Sequence, residues 1–359
     1  MGEPVHRRGG SRAAAPGLGR VPAGLPLHDL AVAGRLLEGG EAGGCAALGR
    51  ALPHPHATGR RGAGQAAHDA PDEKRAEALA AVSFHADDCM FRRVLCTLGD
   101  LLLDVIVRLE GPIAEDTDTY GRTRVGAGGQ AANVAAWTVA LGGRARFLGK
   151  RARDPVGRLL VEELEARGVE LAGPEEERGT GTVVSVATPD GARTMLSDRG
   201  VSVALRPDEL DDGWLRGCER LHLPAYSLVA SPVREASLRA AEAVPRLSVD
   251  LSSTAALELA GVQDFRALLA GLRPDVVFAN AAEAELLGPI EAETVVVKRG
   301  AEGCLVRQAG DERAYAAEPA EVFDTTGAGD AFAAGFLLGG PETALRAAAR
   351  CVAGPGAMP

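Results

Sequence analysis

The sequence predicts an α/β fold in which a mostly parallel sheet is covered by helices on both faces. Two observations predict it: short apolar runs recur from residue 94 onward, and helical segments separate them. Apolar strands that alternate with helices are typical of a parallel sheet buried on both sides. The chain has 359 residues. That length accommodates one domain of about 250–300 residues and an additional segment.

The predicted strands are short and apolar. In chain order they are 94–98, 144–149, 220–223, 247–250, 275–279 and 294–298. We expect 104–109 to continue the first strand, and we expect 181–187 and 192–196 to form a hairpin around the turn at 189–191. The predicted helices show apolar or amphipathic periodicity. They are 133–141, 156–167, 232–243, 264–272, 281–287, 331–338 and 342–352.

Residues 1–89 differ from the rest of the chain. They contain six of the seven histidines, are rich in Gly, Pro, Ala and Arg, and show little periodicity. This composition predicts a low-complexity, disordered or weakly ordered extension. The folded domain is therefore predicted at 90–359. An alternative is that translation starts at Met90, so that the extension is not made.

The charge balance and composition argue against several classes of partner. Residues 90–359 contain 29 basic and 39 acidic side chains, whereas residues 1–89 contain ten of each. An acidic domain argues against a nucleic-acid partner, whose phosphates require clustered Lys and Arg. No apolar run reaches the roughly 18 residues of a membrane span, and the N-terminus has no continuous apolar signal segment. The six cysteines form no CxxC pair, which predicts reduced thiols in a cytoplasmic protein.

The segment 323–332 carries the strongest functional signal. Its glycine-rich turn, Gly327-Ala328-Gly329, is followed at once by Asp330 and a run of Ala and Phe that predicts a buried helix. The free N–H groups and the dipole at such a helix start favour an anion, and Asp330 is placed to accept a proton. An anion site beside a general base suits phosphoryl transfer to a hydroxyl group. The alternative is a tight loop in which Asp330 only stabilises the helix dipole.

Two further segments combine turns with polar side chains. In 126–135, Gly128 and Gly129 allow close backbone approach to a ligand, and Asn133 can bind hydroxyl groups; the alternative is a tight turn with Asn133 in a first helical turn. Asn280 and Glu283 follow a predicted strand, where ligands bind in open α/β sheets. They also fit a capping box, and both interpretations can hold together.

These segments, in this order, resemble those of the ribokinase-like (PfkB) carbohydrate kinases, over about 94–359. The segment 323–332 is similar to the C-terminal signature of the family, and 126–135 is similar to its sugar-binding segment. Gly99-Asp100-Leu101-Leu102-Leu103-Asp104 matches a third family pattern. The resemblance implies a doubly wound, mostly parallel sheet flanked by helices with a small β lid. The lid would draw on 104–123 and 181–196, and dimerisation through the lids is an implied expectation.

The resemblance also implies roles for individual residues. Asp330 would be the catalytic base, with the amides of Gly327, Ala328 and Gly329 as anion hole. The substrate would contact Asp104, Gly128, Gly129 and Asn133. ATP would contact Asn280, Lys298, Gly300 and Gly303, Glu283 would organise Mg²⁺ through water, and Asp324 with Thr326 would contribute to a K⁺ site.

The expected activity is ATP-dependent phosphorylation of a hydroxyl group on a sugar, sugar acid or nucleoside. The acceptor stays open, because the segment 221–226 lacks the acidic residue that ribokinases proper often carry. His222, the one histidine of 90–359, is expected to be a strand-end core or pocket residue. The chain ends soon after Gly354, which predicts an incomplete adenine pocket. The alternative function is a catalytically weakened sugar- or nucleotide-binding protein that senses its ligand.

Overall fold

The computed structural model describes residues 94–190 and 192–359, so the predicted extension at 1–89 lies outside the described residues. Within this part the strands, numbered along the chain, are β1 (Val94–Leu98), β2 (Leu102–Leu109), β3 (Gly121–Gly128), β4 (Arg144–Leu148), β5 (Arg151–Ala152), β6 (Glu170–Ala172), β7 (Glu175–Glu176), β8 (Gly181–Ala187), β9 (Arg193–Asp198), β10 (Cys218–Pro224), β11 (Leu247–Asp250), β12 (Val276–Asn280), β13 (Thr294–Lys298), β14 (Cys304–Gln308) and β15 (Asp311–Tyr315). The α-helices are α1 (Gln130–Ala140), α2 (Pro155–Ala166), α3 (Val233–Glu242), α4 (Thr254–Ala260), α5 (Val262–Leu272), α6 (Ala281–Leu287) and α7 (Ala328–Val352).

The main sheet has nine strands in the order β15-β14-β13-β12-β11-β10-β1-β4-β6. The strands from β13 to β6 are parallel, and the chain winds outward from β1 in both directions. The hairpin of β14 and β15, which the sequence patterns did not predict, adds two antiparallel strands at one edge. All five residues of β1 are buried, as expected for a strand covered on both faces. The predicted α/β fold is confirmed.

Helices cover both faces of the main sheet. On one face, Ala236 of α3 and Phe265 of α5 belong to a core cluster with Val249 of β11. On the other face, Trp137 of α1 and Phe332 of α7 belong to a cluster with strand residues of the same sheet. The helices α1 and α7 pack against each other on this second face. Their N-termini, which carry the two glycine-rich segments, are thereby brought together.

A separate four-stranded sheet, β3-β2-β8-β9, is the small β lid. The predicted hairpin is observed as the antiparallel pair β8 and β9. The prediction that 104–109 continues the first strand is wrong, because β2 pairs with β3 and β8 instead of the main sheet. The chain leaves the main sheet at Gly99, where a Cβ atom would lie 2.6 Å from Ser227 Oγ. A side chain at this turn would not fit without a shift of its surroundings.

The predicted helices 331–338 and 342–352 lie within α7 and are separated by a kink. Gly339 and Gly340 have non-helical backbone angles, with φ of 77° at Gly340, and Pro341 follows them. A proline removes a backbone donor and clashes with the preceding turn, which explains a kink here. Because α7 begins at Ala328, Asp330 lies in its first turn.

The cysteine prediction is wrong for one pair. Cys96 of β1 and Cys218 of β10 form a disulfide with their Cα atoms 5.7 Å apart. The two strands are neighbours in the main sheet, a proximity that the separation of 122 residues along the chain does not reveal. Cys304 and Cys351 are buried thiols. Cys45 and Cys89 lie outside the described residues.

Among residues 94–190 and 192–359, no helix is long and apolar enough to cross a membrane.

Candidate active site

The N-terminus of α7 has the geometry of an anion site. Gly327 caps the helix with φ of 77°, and a Cβ atom there would lie 2.5 Å from the Ala357 Cα atom, so both conformation and space favour glycine. The Ala328 N–H donates to the Thr325 carbonyl at 3.3 Å. Within the described residues, the N–H groups of Gly327 and Gly329 donate to no backbone acceptor. The helix dipole adds to these free donors.

Asp330 lies at the centre of a polar network. Its Oδ2 accepts a hydrogen bond of 2.7 Å from Asn133 Nδ2 of α1. Burial raises the pKa of Asp330 to about 8; Asn133 lowers this pKa, Asp250 raises it and Lys298 lowers it. A carboxyl group with a pKa near neutrality is suited to accept a proton from a hydroxyl group.

Asp250 ends β11 and Lys298 ends β13, with β12 between the two strands, and both lie near Asp330. Lys298 Nζ lies 2.6 Å from Asp250 Oδ2, and the Asp250 side chain is 1% exposed. Burial lowers the pKa of Lys298, but Asp250 and Glu283 raise it more, so the pKa lies above the ordinary value. A Cβ atom on Gly329 would lie 3.3 Å from Lys298 Nζ, which places the ammonium group beside the helix terminus.

Asp104 and Gly128 lie on the lid strands β2 and β3, while Gly129 and Asn133 lie at the start of α1. A Cβ atom on Gly128 would lie 2.1 Å from Asp104 Cγ, and Gly129 has φ of 100°. Glycine at both positions lets the backbone pass directly against the carboxyl group. Within the described part of the chain, Asn133 Oδ1 is buried without a hydrogen-bond partner. Burial, and then the charge of Asp100, raise the pKa of Asp104 to about 7, although Arg193 acts to lower it.

Asp100, to which the sequence patterns assign no role of its own, anchors the start of α1 and the residue Arg199 on this side of the site. Its Oδ1 accepts from Ala131 N at 3.2 Å, which holds the start of α1. Its Oδ2 forms an ion pair with Arg199, whose guanidinium lies 3.4 Å from the centre of the Tyr226 ring.

Two arginines of the lid, for which the sequence patterns predict no role, contact the loop before α7. Arg108 Nη2 donates to the Phe323 carbonyl at 2.8 Å. Arg193 donates to Ser185 Oγ at 2.8 Å and also contacts Thr326 Oγ1. The lid therefore closes directly onto the anion-site loop, residues 323–327.

A cavity of about 490 Å³ lies on the other side of the α7 N-terminus. Lys298, Gly300 and Gly303, which are predicted to contact ATP, line it. Residues 317–320 and apolar residues of α7 such as Leu345 and Val352 contribute an apolar wall. An apolar wall of this kind suits a nucleotide base. Asn280, also predicted to contact ATP, does not line this cavity.

Asn280 and Glu283 form a reciprocal cap at the start of α6. Glu283 Oε2 accepts from Asn280 N at 2.7 Å, and Glu283 N donates to Asn280 Oδ1 at 2.8 Å. Burial and Asp250 raise the pKa of Glu283 above its ordinary value. The described residues contain no group of three or more His, Cys, Asp or Glu that could hold a metal ion. A single carboxylate fits Mg²⁺ only if water and phosphate supply the other ligands.

The candidate K⁺ ligands do not form an open cation site. Asp324 Oδ1 accepts from Thr326 N at 3.0 Å and from Thr326 Oγ1 at 2.7 Å, and Asp324 Oδ2 accepts from Gly356 N at 3.4 Å. Arg108 lies 3.7 Å from the same carboxylate. These donors occupy part of the acceptor capacity of Asp324, and the K⁺ site stays a prediction.

His222 is a core residue, in keeping with the expectation. It is fully buried in β10, and its Nδ1 lies 3.0 Å from Ser248 Oγ. Burial lowers the pKa of His222 to about 4, so its imidazole is neutral at physiological pH.

Comparisons with known proteins find a matching family and similar proteins that agree with each other. The model of the pfkB family carbohydrate kinases matches residues 92–353. An ATP-dependent ribose-1-phosphate kinase of Halopiger xanaduensis is 32% identical over 72% of this chain and 90% of its own length. A fructokinase-1 of Zea mays is 28% identical over 68% of this chain and 82% of its own length.

Solved structures show the same fold. Adenosine kinase from Sinorhizobium meliloti superposes with a TM-score of 0.68 and 25% identity, over 75% of this chain and 96% of that chain. A ribokinase from Thermotoga maritima gives a TM-score of 0.61 at 20% identity, over 74% of this chain and 96% of that chain.

Proposed function

Because the chain belongs to the pfkB family of carbohydrate kinases, we propose that it transfers the γ-phosphoryl group of ATP to a hydroxyl group of a sugar, sugar acid or nucleoside. One observation carries this proposal: Asp330 lies in the first turn of α7 and accepts a hydrogen bond from Asn133. A base, an amide that can bind hydroxyl groups and a phosphate-binding helix terminus are thereby in direct contact.

The proposed reaction breaks one bond and forms one. The acceptor hydroxyl oxygen bonds to the γ-phosphorus while the bond from that phosphorus to the β,γ-bridging oxygen breaks, and ADP leaves. The ionised carboxylate of Asp330 takes the hydroxyl proton. The N–H groups of Gly327 and Gly329 offset the charge on the transferred phosphoryl oxygens. Mg²⁺ bound with ATP would supply further positive charge there, and Glu283 would hold it through water.

The two substrates bind on opposite sides of the α7 N-terminus. The cavity of about 490 Å³ beside Lys298 takes ATP, with its base against the apolar wall. The acceptor lies under the lid, where Asp104 accepts its hydroxyl donors. The unpartnered Asn133 Oδ1 accepts a further hydroxyl donor, so acceptor binding removes a buried unsatisfied atom.

The relatives act on different acceptors by name, namely ribose 1-phosphate, fructose and adenosine. These acceptors all contain a sugar ring with a free hydroxyl group, and we propose that the acceptor of this chain does too.

We also propose a cytoplasmic location, where ATP is the donor, and a homodimer through the lid. Val125 and Leu196, on the lid face that turns away from the site, are each 59% exposed, and burial of such apolar area favours association.

The test is release of ADP with a panel of sugars, sugar acids and nucleosides in the presence of ATP and Mg²⁺. We expect turnover with at least one acceptor and an Asp330→Asn variant that binds this acceptor but turns over about 10²–10⁴-fold more slowly. If no acceptor is phosphorylated while calorimetry still detects sugar and nucleotide binding, the chain is the sensing protein of the alternative hypothesis. Full turnover in Asp330→Asn would refute the base.

A further inference from the structure

A C-terminal segment, residues 352–357, supports the anion-site loop. The N–H groups of Phe323 and Asp324 donate to the Val352 carbonyl at 2.7 and 3.2 Å. From the other end of the segment, the Gly356 N–H donates to Asp324 Oδ2 at 3.4 Å. The position of the loop therefore depends on the position of this segment.

The segment comes closest to the anion site where Ala357 meets Gly327. A Cβ atom on Gly327 would lie 2.5 Å from Ala357 Cα and 2.7 Å from Ala357 Cβ, so the two residues are in direct contact. Ala357 is itself buried, with 3% of its surface exposed. A displacement of Ala357 therefore changes the position of Gly327, whose N–H belongs to the proposed anion hole.

Trp137 of α1 holds Ala357 in place. Its Nε1 donates a buried hydrogen bond of 2.8 Å to the Ala357 carbonyl, which is 220 residues away along the chain. The Trp137 side chain is buried in the core cluster that also contains Phe332 of α7. Without this donor the Ala357 carbonyl would lose a buried partner, which is costly, so the hydrogen bond fixes the segment against α1.

Trp137 lies one turn after Asn133 on the same face of α1. Residues four apart on a helix project in the same direction. Asn133 donates to Asp330 at 2.7 Å, and Trp137 reaches Gly327 through Ala357. One helix thus contacts both the candidate base and the support of the anion hole.

We propose that Trp137 is a positioning residue for phosphoryl transfer: through Ala357 it holds Gly327 where the Gly327 N–H meets the transferred phosphoryl group. The inference rests on the proposed kinase function and adds a residue to it. Donors of an anion hole are effective when they are fixed before the reaction, because they then need no reorganisation as charge develops. A loosened support should slow the chemical step and leave the binding of both substrates largely intact.

The variant Trp137→Phe tests this role, because it keeps an aromatic ring in the core and removes the N–H donor. We expect kcat to fall about tenfold, the effect of one lost hydrogen bond, while the KM values for ATP and the acceptor stay within about twofold. Trp214→Phe is the matched control, since Trp214 is the second tryptophan of the chain and packs on the other face of the main sheet. Its kcat should not change. An unchanged kcat in folded Trp137→Phe would overturn the proposal.

Ala357→Gly tests the same contact from the other side, and it does so even if Trp137→Phe does not fold. It keeps the carbonyl that accepts from Trp137 but removes the Cβ atom that faces Gly327, so kcat should fall several-fold. The double variant should be at most about twofold slower than the slower single variant, because both changes break one chain of contacts. Effects that multiply in full would show that the two residues act separately and would contradict the proposal.

Hydrogen exchange followed by mass spectrometry separates this inference from the kinase function. Peptides that span 323–330 should exchange faster in Trp137→Phe than in the wild type, and at the wild-type rate in Trp214→Phe. If no acceptor is phosphorylated, the kinase function fails by itself and the exchange rates decide. Exchange of 323–330 that is the same in Trp137→Phe and the wild type would show that Trp137 does not hold the loop.

Discussion

Asn133 Nδ2 donates a hydrogen bond of 2.7 Å to Asp330 Oδ2, and 197 residues separate the two along the chain. The hydrogen bond joins the first turns of α1 and α7, so it connects the helix that we propose to hold the acceptor with the candidate base. It also favours the ionised form of Asp330, against the effect of burial. In the proposed function, Asn133 therefore acts on the proton acceptor as well as on the sugar.

Asn133→Ala should raise the pH at which the enzyme becomes active. The hydrogen bond lowers the pKa of Asp330, so its loss moves the midpoint of the kcat/KM profile upward from about 8 by about one pH unit. The measurement is kcat/KM of the acceptor against pH. Thr138→Val in the same helix is the control, because its hydroxyl only bonds the Val134 carbonyl, and its midpoint should not move. An unchanged midpoint in Asn133→Ala would show that the hydrogen bond does not set the titration.

Asp330→Asn should stabilise the ligand-free protein at high pH. The pKa of Asp330 rises from 3.8 to about 8 on folding, so its stabilising contribution is present in acid and is lost as the pH rises through that window. The variant lacks this loss. Its Tm should match the wild type near about pH 4 and exceed it by about 10 °C at about pH 8.5. A Tm difference that stays constant with pH would contradict the raised pKa.

The sequence was sufficient for the parts of this fold that depend on local patterns. Residues 94–98, 247–250 and 294–298 are strands with the predicted bounds, because each is a short apolar run that the sheet buries on both faces. Reliance on local patterns also explains why β2 was wrongly assigned to the main sheet. Apolar alternation reveals a strand but does not reveal which sheet it joins.

Contacts between distant segments could not be predicted. Asp250 ends a strand like any other, and its pairing with Lys298 depends on the order of strands in the sheet. Arg108 and Arg193 lie in a β-lid whose side-chain directions follow from register, so their approach to the anion-site loop leaves no local signal. The disulfide of Cys96 and Cys218 likewise depends on the order of the strands and leaves no local signal in the sequence.

Lys298→Met should reveal that Lys298 stabilises the fold independently of any contact with ATP. It leaves the buried Asp250 carboxylate without its partner, which costs about 3–5 kcal/mol of unfolding free energy. The double variant Asp250→Asn/Lys298→Met removes the uncompensated charge and should recover most of that stability. Denaturant unfolding measures both, and ATP binding measured by calorimetry should stay weak in both. A double variant as unstable as Lys298→Met would show that the pair is not the source of the loss.

Glu283→Gln should weaken the helix cap and the response to Mg²⁺ together. The glutamine keeps one acceptor for Asn280, so the loss of stability should be about 1 kcal/mol. If Glu283 organises Mg²⁺ through water, the Mg²⁺ concentration for half-maximal turnover should rise several-fold. Glu285→Gln, exposed on the same helix, is the control and should change neither quantity. A lower stability with unchanged Mg²⁺ dependence would assign Glu283 to the cap alone.

A shortened chain that begins at Met90 should be soluble and as active as the full chain. The match to the family begins at residue 92. The site residues discussed above lie between Asp100 and Ala357. The strand β1 begins at Val94, and each of its five residues is buried, so the shortened chain keeps this interior strand of the main sheet. The comparison is kcat/KM and Tm of the two chains under one condition. A shortened chain that aggregates or loses several degrees of Tm would show that residues 1–89 contribute to the fold.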